Sequence, residues 1–572
     1  MRISGSRHRI GVSRILIVLA VIVLVVLATA GYELLVPSKG GGGGTHTQGK
    51  TLVAVRNSQT SDMDPRETSS IDVVQNVYDR LTLVEPNQTA VPQLATSWTS
   101  SQNFTKWVFH LRQGVTFHDG TPFNSSAVVF SLLNTAKLGQ GDAPDTWNGL
   151  QNIVAIDTYT VEIDWAFPAE VPAIVGAGYS AFIFSPNIWK FSGVHQGNDT
   201  GLATWFDAFH DDGSGPYILL TNESAFATGI SLVAYKNYWG GWQPDQFTNV
   251  FIKFVSQTGT AVQYLESGQV NMTGLNGQFQ YLPALRSQGI QVSPAKSFAT
   301  IWMLFNTRHP LLNNPDIRRA LLTAVNYGQV LNQSFYGYGA LFSGGINPGK
   351  FGYTGTVPSY PAKGDIAGAK AILKSIGITG GLNASWLITY STGSPYLGIV
   401  AQVLQTNWAP LGVTLSIQGT DFGSLSQEAG YYNATTKTVF APGPLSYANS
   451  SSAQDINLLN WVGTTNDPWL VMDELYAIQP HPYENDILYN WTYWHNSTFT
   501  DLLNQAHIDE AVNPNRAVQE FQQANQMIYQ AGPGWPLYAE DTITALGSHV
   551  KGYVANPNYG FAYPFWYQLY YG

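Results

Sequence analysis

The stretch richest in potential chemistry is Gly44–Thr51, GTHTQGKT, which matches the phosphate-loop pattern GxxxxGK[ST] letter for letter. A phosphate cradle needs a strand before the loop and a helix behind it, so that backbone N–H groups converge on the anion. Here a glycine run precedes the match and the β-branched stretch TLVAV follows it, so it reads as linker. His118 and Asp119 are a second candidate pair. They sit in HDGTPF, where Gly120 and Pro122 supply turn chemistry, and the expected role of Asp119 is to rigidify that turn. No HExxH pattern or spaced histidine cluster completes a metal site, so no metal and no cofactor is expected. The chain has no cysteine, which removes disulfides, thiol catalysis and Cys-ligated metals. It has no GxSxG elbow, and no pair of carboxylates stands out as a glycosidase couple. These absences leave no catalytic constellation in the sequence, and no enzyme is expected.

The elements that must position any site belong to a chain of 572 residues, enough for several domains. Charged residues are 11% and aromatics 13%, and the 27 basic against 37 acidic residues give a net charge of -10, which argues against nucleic acid as a partner. Arg2, Arg7, Arg9 and Arg14 precede an apolar run from Ile15 to Ala30, which keeps the N-terminus inside and sends the rest of the chain out. Residues 1–36 read as a hydrophobic helix retained as a membrane anchor, with 37–50, PSKGGGGGTHTQGK, as its flexible tether. Ala28-Thr29-Ala30 also fits a cleavage site, which leaves a processed signal peptide open. N-x-[ST] sequons recur at Asn87, Asn103, Asn124, Asn198, Asn222, Asn332, Asn383, Asn433, Asn490 and Asn496, a density that suits an exported glycoprotein. Together with low charge and no cysteine, they suggest an archaeal cell surface.

From Thr51 onward short apolar strands alternate with helical stretches, which predicts an α/β or α+β fold. In FTKWVFHLRQ, Trp107, Phe109 and Leu111 alternate with Val108, His110 and Arg112, the period of a strand. A helix is expected from Asn124 or Ser125, and another through NNPDIRRALLTAVNYGQVL with Ile317, Leu321, Leu322 and Val325 as its buried stripe. Further helices should end at Gly377, at Pro410–Gly412 and at Gly532.

Taken in order, these segments carry a family resemblance. They include MDPRE (Met63–Glu67), VYDRL (Val77–Leu81) and the long block from Val91 to Asn134 with FHLR and DGTPF. SGPYIL, YKNYWGG, LESGQVN, FNTRHPLLNNPDIRRAL, NDPWL (Asn466–Leu470) and WPLYAED (Trp535–Asp541) follow. The set resembles the family 5 solute-binding proteins, the oligopeptide, dipeptide and nickel binders of ABC importers, over essentially everything after the linker.

The resemblance implies a two-lobed, type II periplasmic-binding-protein-like α/β fold with an extra domain in the N-terminal lobe. Lobe 1 would be discontinuous, 51–81 with 209–302 and 537–572. The inserted domain would be 82–208 and lobe 2 would be 303–536, with crossings near Trp302 and Leu537. A ligand between the lobes would favour closure, and the implied partners are ABC permease subunits with separate ATPase subunits. A monomer on the outer face of the membrane is expected. In peptide-binding members an acid in a W-x-x-D-like stretch takes the peptide ammonium, whereas here NWVGTTNDP places Thr464 and Thr465 at that point. Neutral Thr464, Thr465, Asn466 and Asn306, with Trp461 as a flat apolar face, are therefore the expected ligand contacts, and the ligand is left open between an oligopeptide and an oligosaccharide. Tyr431–Ser452 is expected to be a surface insertion.

Overall fold

The computed structural model describes residues 50–572 apart from 58–61, 68–69, 142, 178, 276, 423, 426–431, 434–437, 440–453, 462–466 and 478–490, and 560–563. The anchor and tether expected over 1–49 lie outside the described residues, as do most of Tyr431–Ser452 and Thr464, Thr465 and Asn466. Among the described residues no helix is long and apolar enough to cross a membrane.

The strands of the two main sheets, in chain order, are β1 (Thr51–Arg56), β2 (Ala95–Ser100), β3 (Lys106–Leu111), β4 (Leu150–Asp157), β5 (Thr160–Trp165), β6 (Tyr217–Leu219), β7 (Gly229–Ala234) and β8 (Asn249–Phe254). After them come β9 (Met272–Gly274), β10 (Gln291–Phe305), β11 (Gly339–Ala340), β12 (Ala384–Ser391), β13 (Val413–Thr420), β14 (Ile456–Trp461) and β15 (Gly534–Leu546). Ten of them run through one sheet in the order β13-β12-β14-β10-β15-β9-β1-β8-β7-β6, and β11 pairs with β15. A separate antiparallel sheet has the order β2-β3-β5-β4. The alternation in β3 is as its sequence predicts: Trp107, Phe109 and Leu111 are buried and His110 is exposed.

β10 and β15 are the long central strands, and each spans two neighbourhoods. Gln291–Lys296 of β10 pairs with Asp541–Leu546, beside β9, and Thr300–Leu304 pairs with Gly534–Ala539, beside β14. The register slips between Lys296 and Thr300, and again between Ile301 and Trp302, where Trp302 faces Pro536. Such slips bend a strand locally.

Helix ends follow local chemistry. In α1 (Ser125–Leu138), Asn124 Oδ1 accepts from Ala127 N at 3.1 Å and Gly139 closes the helix at φ 59°. NNPDIRRALLTAVNYGQVL is not one helix, contrary to the sequence expectation. It forms α2 (Pro315–Ala324) and α3 (Tyr327–Phe335). Val325 turns extended at ψ 127°, and Asn326 Oδ1 accepts from Gln329 N to start the second helix. An asparagine offering a cap competes with continuation of the first helix. Ile317, Leu321 and Leu322 are buried on α2 as expected, and Val325 is buried at the break itself. The chain continues with α4 (Ile366–Ser375), α5 (Tyr396–Trp408), α6 (Pro468–Tyr476), α7 (Ser497–Val512) and α8 (Pro514–Ala531). Gly377, Gly412 and Gly532 all have positive φ just past the ends expected for α4, α5 and α8.

Three apolar cores form among the described residues. The largest gathers β10, β12, β14 and α2 to α8. A second includes Leu52, Tyr78, Phe184, Phe206, Tyr217, Ile252 and Trp566. A third packs Leu81 to Ile183 around the four-stranded sheet. Residues near 560 close the second core against residues near 80: Trp566 N donates to Asn76 Oδ1 at 2.8 Å, Gln75 Nε2 to Pro564 O at 3.2 Å, and Asn556 Nδ2 to Val84 O at 2.7 Å.

Candidate ligand cavity

A cavity of about 530 Å³ lies where β1, β9, β14 and β15 meet α5. That is within the range of small-ligand sites. Its lining includes Val55, Ile252, Met272, Phe335, Tyr396 and Asn460. Glu540, Asp541 and Asp72 contribute acids to the lining and Arg56 a cation. Arg56 Nη1 is already paired with Asp72 Oδ1 at 3.0 Å, so the remaining character of the lining is acidic.

Glu540 carries the chemistry. It is 6% exposed on a strand that is buried from Gly534 to Glu540. Burial pushes its carboxyl up to about 7, against opposing hydrogen bonds from Tyr396 and Asn460. Asn460 Nδ2 donates to Glu540 Oε2 at 3.3 Å and to Tyr396 Oη at 2.7 Å. Glu540 Oε1 and Asn460 Oδ1 are buried with no hydrogen-bond partner. Both residues line the cavity, so its wall holds two acceptors whose hydrogen-bonding capacity is unused. Asp541 and Asp72 are also shifted upward, mainly by burial, and are pulled back by Lys296 and Arg56 respectively.

The residues named from sequence lie elsewhere. Trp461 is partly buried against the largest core and donates Nε1 to Glu474 Oε2 at 2.5 Å. Asn306 follows β10; its amide donates to Gln454 O at 3.1 Å and its Oδ1 accepts from Arg308 N at 3.0 Å. Neither lines the cavity. Asn460 is the immediate neighbour of Trp461, and Glu540 breaks the apolar run WPLYA, which was the available signal for both.

Asp119 acts as its turn predicts, accepting from Thr121 N and Thr121 Oγ1, each at 2.6 Å. His118 is held by Asp211 and by Gly215 O, and a strand, β1, follows the phosphate-loop look-alike, with Lys50 Nζ on Asp245 at 2.6 Å.

The family model for bacterial extracellular solute-binding proteins, family 5 Middle, matches residues 89–479. The chain is 25% identical over 468 residues to a probable D,D-dipeptide-binding periplasmic protein DdpA of Escherichia coli (strain K12), which covers 81% of this chain and 82% of the relative. It is 24% identical over 523 residues to the glutathione-binding protein GsiB of Escherichia coli O1:K1 / APEC, covering 90% and 94%. The solved periplasmic binding protein DppA from Helicobacter pylori, in complex with the peptide STSA, superposes with a TM-score of 0.72 at 21% identity, covering 91% and 98%. The fold is thus the α/β fold of the periplasmic binding proteins. The chain belongs to the family 5 extracellular solute-binding proteins. Its work is extracytoplasmic substrate binding for an ABC importer.

Proposed function

We propose that this protein binds a short peptide or peptide-like solute in the cavity at Glu540, without turning it over, and presents it to a separate permease driven by separate ATPase subunits. The observation that carries the reading is the acidic lining with its two unpaired acceptors, Glu540 Oε1 and Asn460 Oδ1. A ligand ammonium offers several N–H donors and a charge, and charge-assisted bonds are roughly twice as strong as neutral ones. This reading runs against the expectation drawn from Thr464 and Thr465, that a free amino group is not used. Thr464, Thr465 and Asn466 follow Trp461 closely in sequence and suit neutral contacts to a peptide backbone. The peptide and dipeptide ligands of the relatives support the class. The oligosaccharide alternative rests on the neutral groups of Thr464, Thr465, Asn466 and Asn306 and on flat Trp and Tyr faces; Trp461 and Asn306 are outside the cavity, and Trp566, which lines it, is 2% exposed.

The proposal extends to the membrane. Residues 1–36 would anchor a monomeric, glycosylated protein to the outer face, with 37–50 as tether, or be removed as a signal peptide. The sequon density and the missing cysteine support an archaeal cell surface for it. Lobes built on 51–81, 209–302 and 537–572, with 82–208 inserted, would close on lobe 2 at 303–536.

Calorimetry with a matched pair of tripeptides, one free and one N-acetylated, tests the ligand reading. Preferential binding of the free form is expected. Equal affinity for the two forms would remove the ammonium contact, and binding of a cello- or malto-oligosaccharide but no peptide would select the other ligand class.

A further inference from the structure

Away from the cavity, Asp467, His507 and Glu510 converge from two helices. Asp467 stands at the start of α6, where its Oδ1 accepts from Trp469 N at 2.7 Å. Its Oδ2 is left facing His507 Nδ1 at 2.6 Å. His507 and Glu510 are three residues apart on α7, which puts them on one face. One donor atom from each of the three lies within 4.8 Å of the others.

We propose that Asp467, His507 and Glu510 form a binding site for a divalent cation of the zinc class. Nitrogen from histidine with two carboxylate oxygens is a donor set that Zn²⁺ takes, with a further position left for water or another ligand. The three groups already contact one another: Asp467 bonds both His507 and Glu510, so a cation entering here would displace the proton shared by the two carboxyl groups. The imidazole is held in place. Trp469 stacks on it at 4.6 Å and 23°, and Phe167, which follows β5, meets its edge at 5.3 Å. Trp469 is itself tied through Nε1 to Asn504 Oδ1 at 3.0 Å, so α6 and α7 fix the ring from both sides. Lys350, which is buried, lies near Asp467, Glu474 and Glu510, so the cluster sits in a partly compensated acidic surrounding. None of the three ligands lines the cavity at Glu540, so the site is separate from the solute site.

The test uses the untagged full chain, stripped with a chelator and dialysed against Zn²⁺ at pH 7.5, with bound metal measured by mass spectrometry. About one Zn²⁺ per chain is expected. His507→Gln and Glu510→Gln should each weaken uptake by roughly tenfold or more, a loss seen even for outer-shell changes at metal sites. Co²⁺ added to the stripped wild-type chain should give the visible absorption of a low-coordinate nitrogen–oxygen site, a readout that needs no variant to fold. Zinc uptake by His507→Gln equal to wild type would overturn the proposal. So would a wild-type chain that takes up no Zn²⁺ and gives no Co²⁺ spectrum; the cluster would then be held by protons alone.

Discussion

Asn460 and Glu540 touch although their strands do not. β14 and β15 each pair with β10 and lie on opposite sides of it, yet Asn460 Nδ2 reaches Glu540 Oε2 at 3.3 Å. Strands two apart in a sheet are separated by about 9.5 Å, so the two side chains arch over β10 to meet. They do so beside the slip between Lys296 and Thr300, where β10 and β15 leave one neighbourhood and enter the other. The polar pair therefore sits on the crossing itself.

The first consequence is a stability that falls with pH. Glu540 has an ordinary value of 4.5 and is raised to about 7 by burial, so the folded protein holds its proton more tightly than the unfolded chain does. Its contribution is fully present below pH ~4.5 and is lost as pH rises through about 7, an effect of about 3 kcal/mol at most. Glu540→Gln should make this decline shallower, since Asp212, raised to about 7, and Asp79, raised to about 6, contribute to it as well. Urea midpoints of both proteins at pH 5 and pH 8 check it; parallel declines in the two would show that Glu540 is not the group responsible.

Ligand binding should respond in the opposite direction. A ligand ammonium needs Glu540 ionised, so affinity for a free tripeptide should rise as pH passes from 5.5 to 8, roughly tenfold for a contact worth about 1.4 kcal/mol. The same titration on Glu540→Gln should be flat and weaker. Calorimetry across that pH range makes the measurement, and an unchanged wild-type affinity would separate Glu540 from the ligand.

Closure should bend at the two central strands. The slips in β10 near Lys296–Thr300 and Ile301–Trp302 are the places where the ladder already yields. Small-angle scattering should show a smaller radius of gyration at saturating peptide. An identical profile with and without ligand would mean that the molecule does not close.

Gly213 tests the seam between the second and third cores. A Cβ there would run into Val77 O, and it would lie 2.9 Å from the Tyr78 ring. The same glycine's carbonyl accepts from His118 N at 2.8 Å. Gly213→Ala should cost about 1–3 kcal/mol, as overpacking of a filled site does. Guanidinium unfolding measures it; a change below about 0.5 kcal/mol would mean that the seam relaxes freely.

What could be read from sequence was local. The Asn124 cap, the alternation of Trp107 with Val108, the turn at Asp119 and the stop at Gly532 all depend on neighbours within a few residues. The break at Val325–Asn326 was missed because the apolar stripe runs on through it, while a single side-chain cap decides the outcome. Glu540 lies inside WPLYAED with nothing local to mark it, since its partner Asn460 lies 80 residues away and is brought near only by the strand order. Asp467 lies in NDPWL and starts α6, a local feature, whereas His507 and Glu510 become its neighbours only through the packing of α6 on α7, 40 or more positions away in sequence.

The fastening of residues near 560 onto residues near 80 sets an order of events during synthesis. Asn76 and Trp566, 490 positions apart, share a hydrogen bond in the second core. At a ribosomal rate of ~5–20 residues per second, roughly 25 to 100 s separate the emergence of one from that of the other. Until Trp566 arrives, the apolar surface around Tyr78 and Tyr217 has no final cover, so this core stays incomplete while the rest of the chain is still being made. A nascent chain that stays partly open is an aggregation hazard if left waiting, yet it is also the state in which a polypeptide can be threaded through a translocation pore.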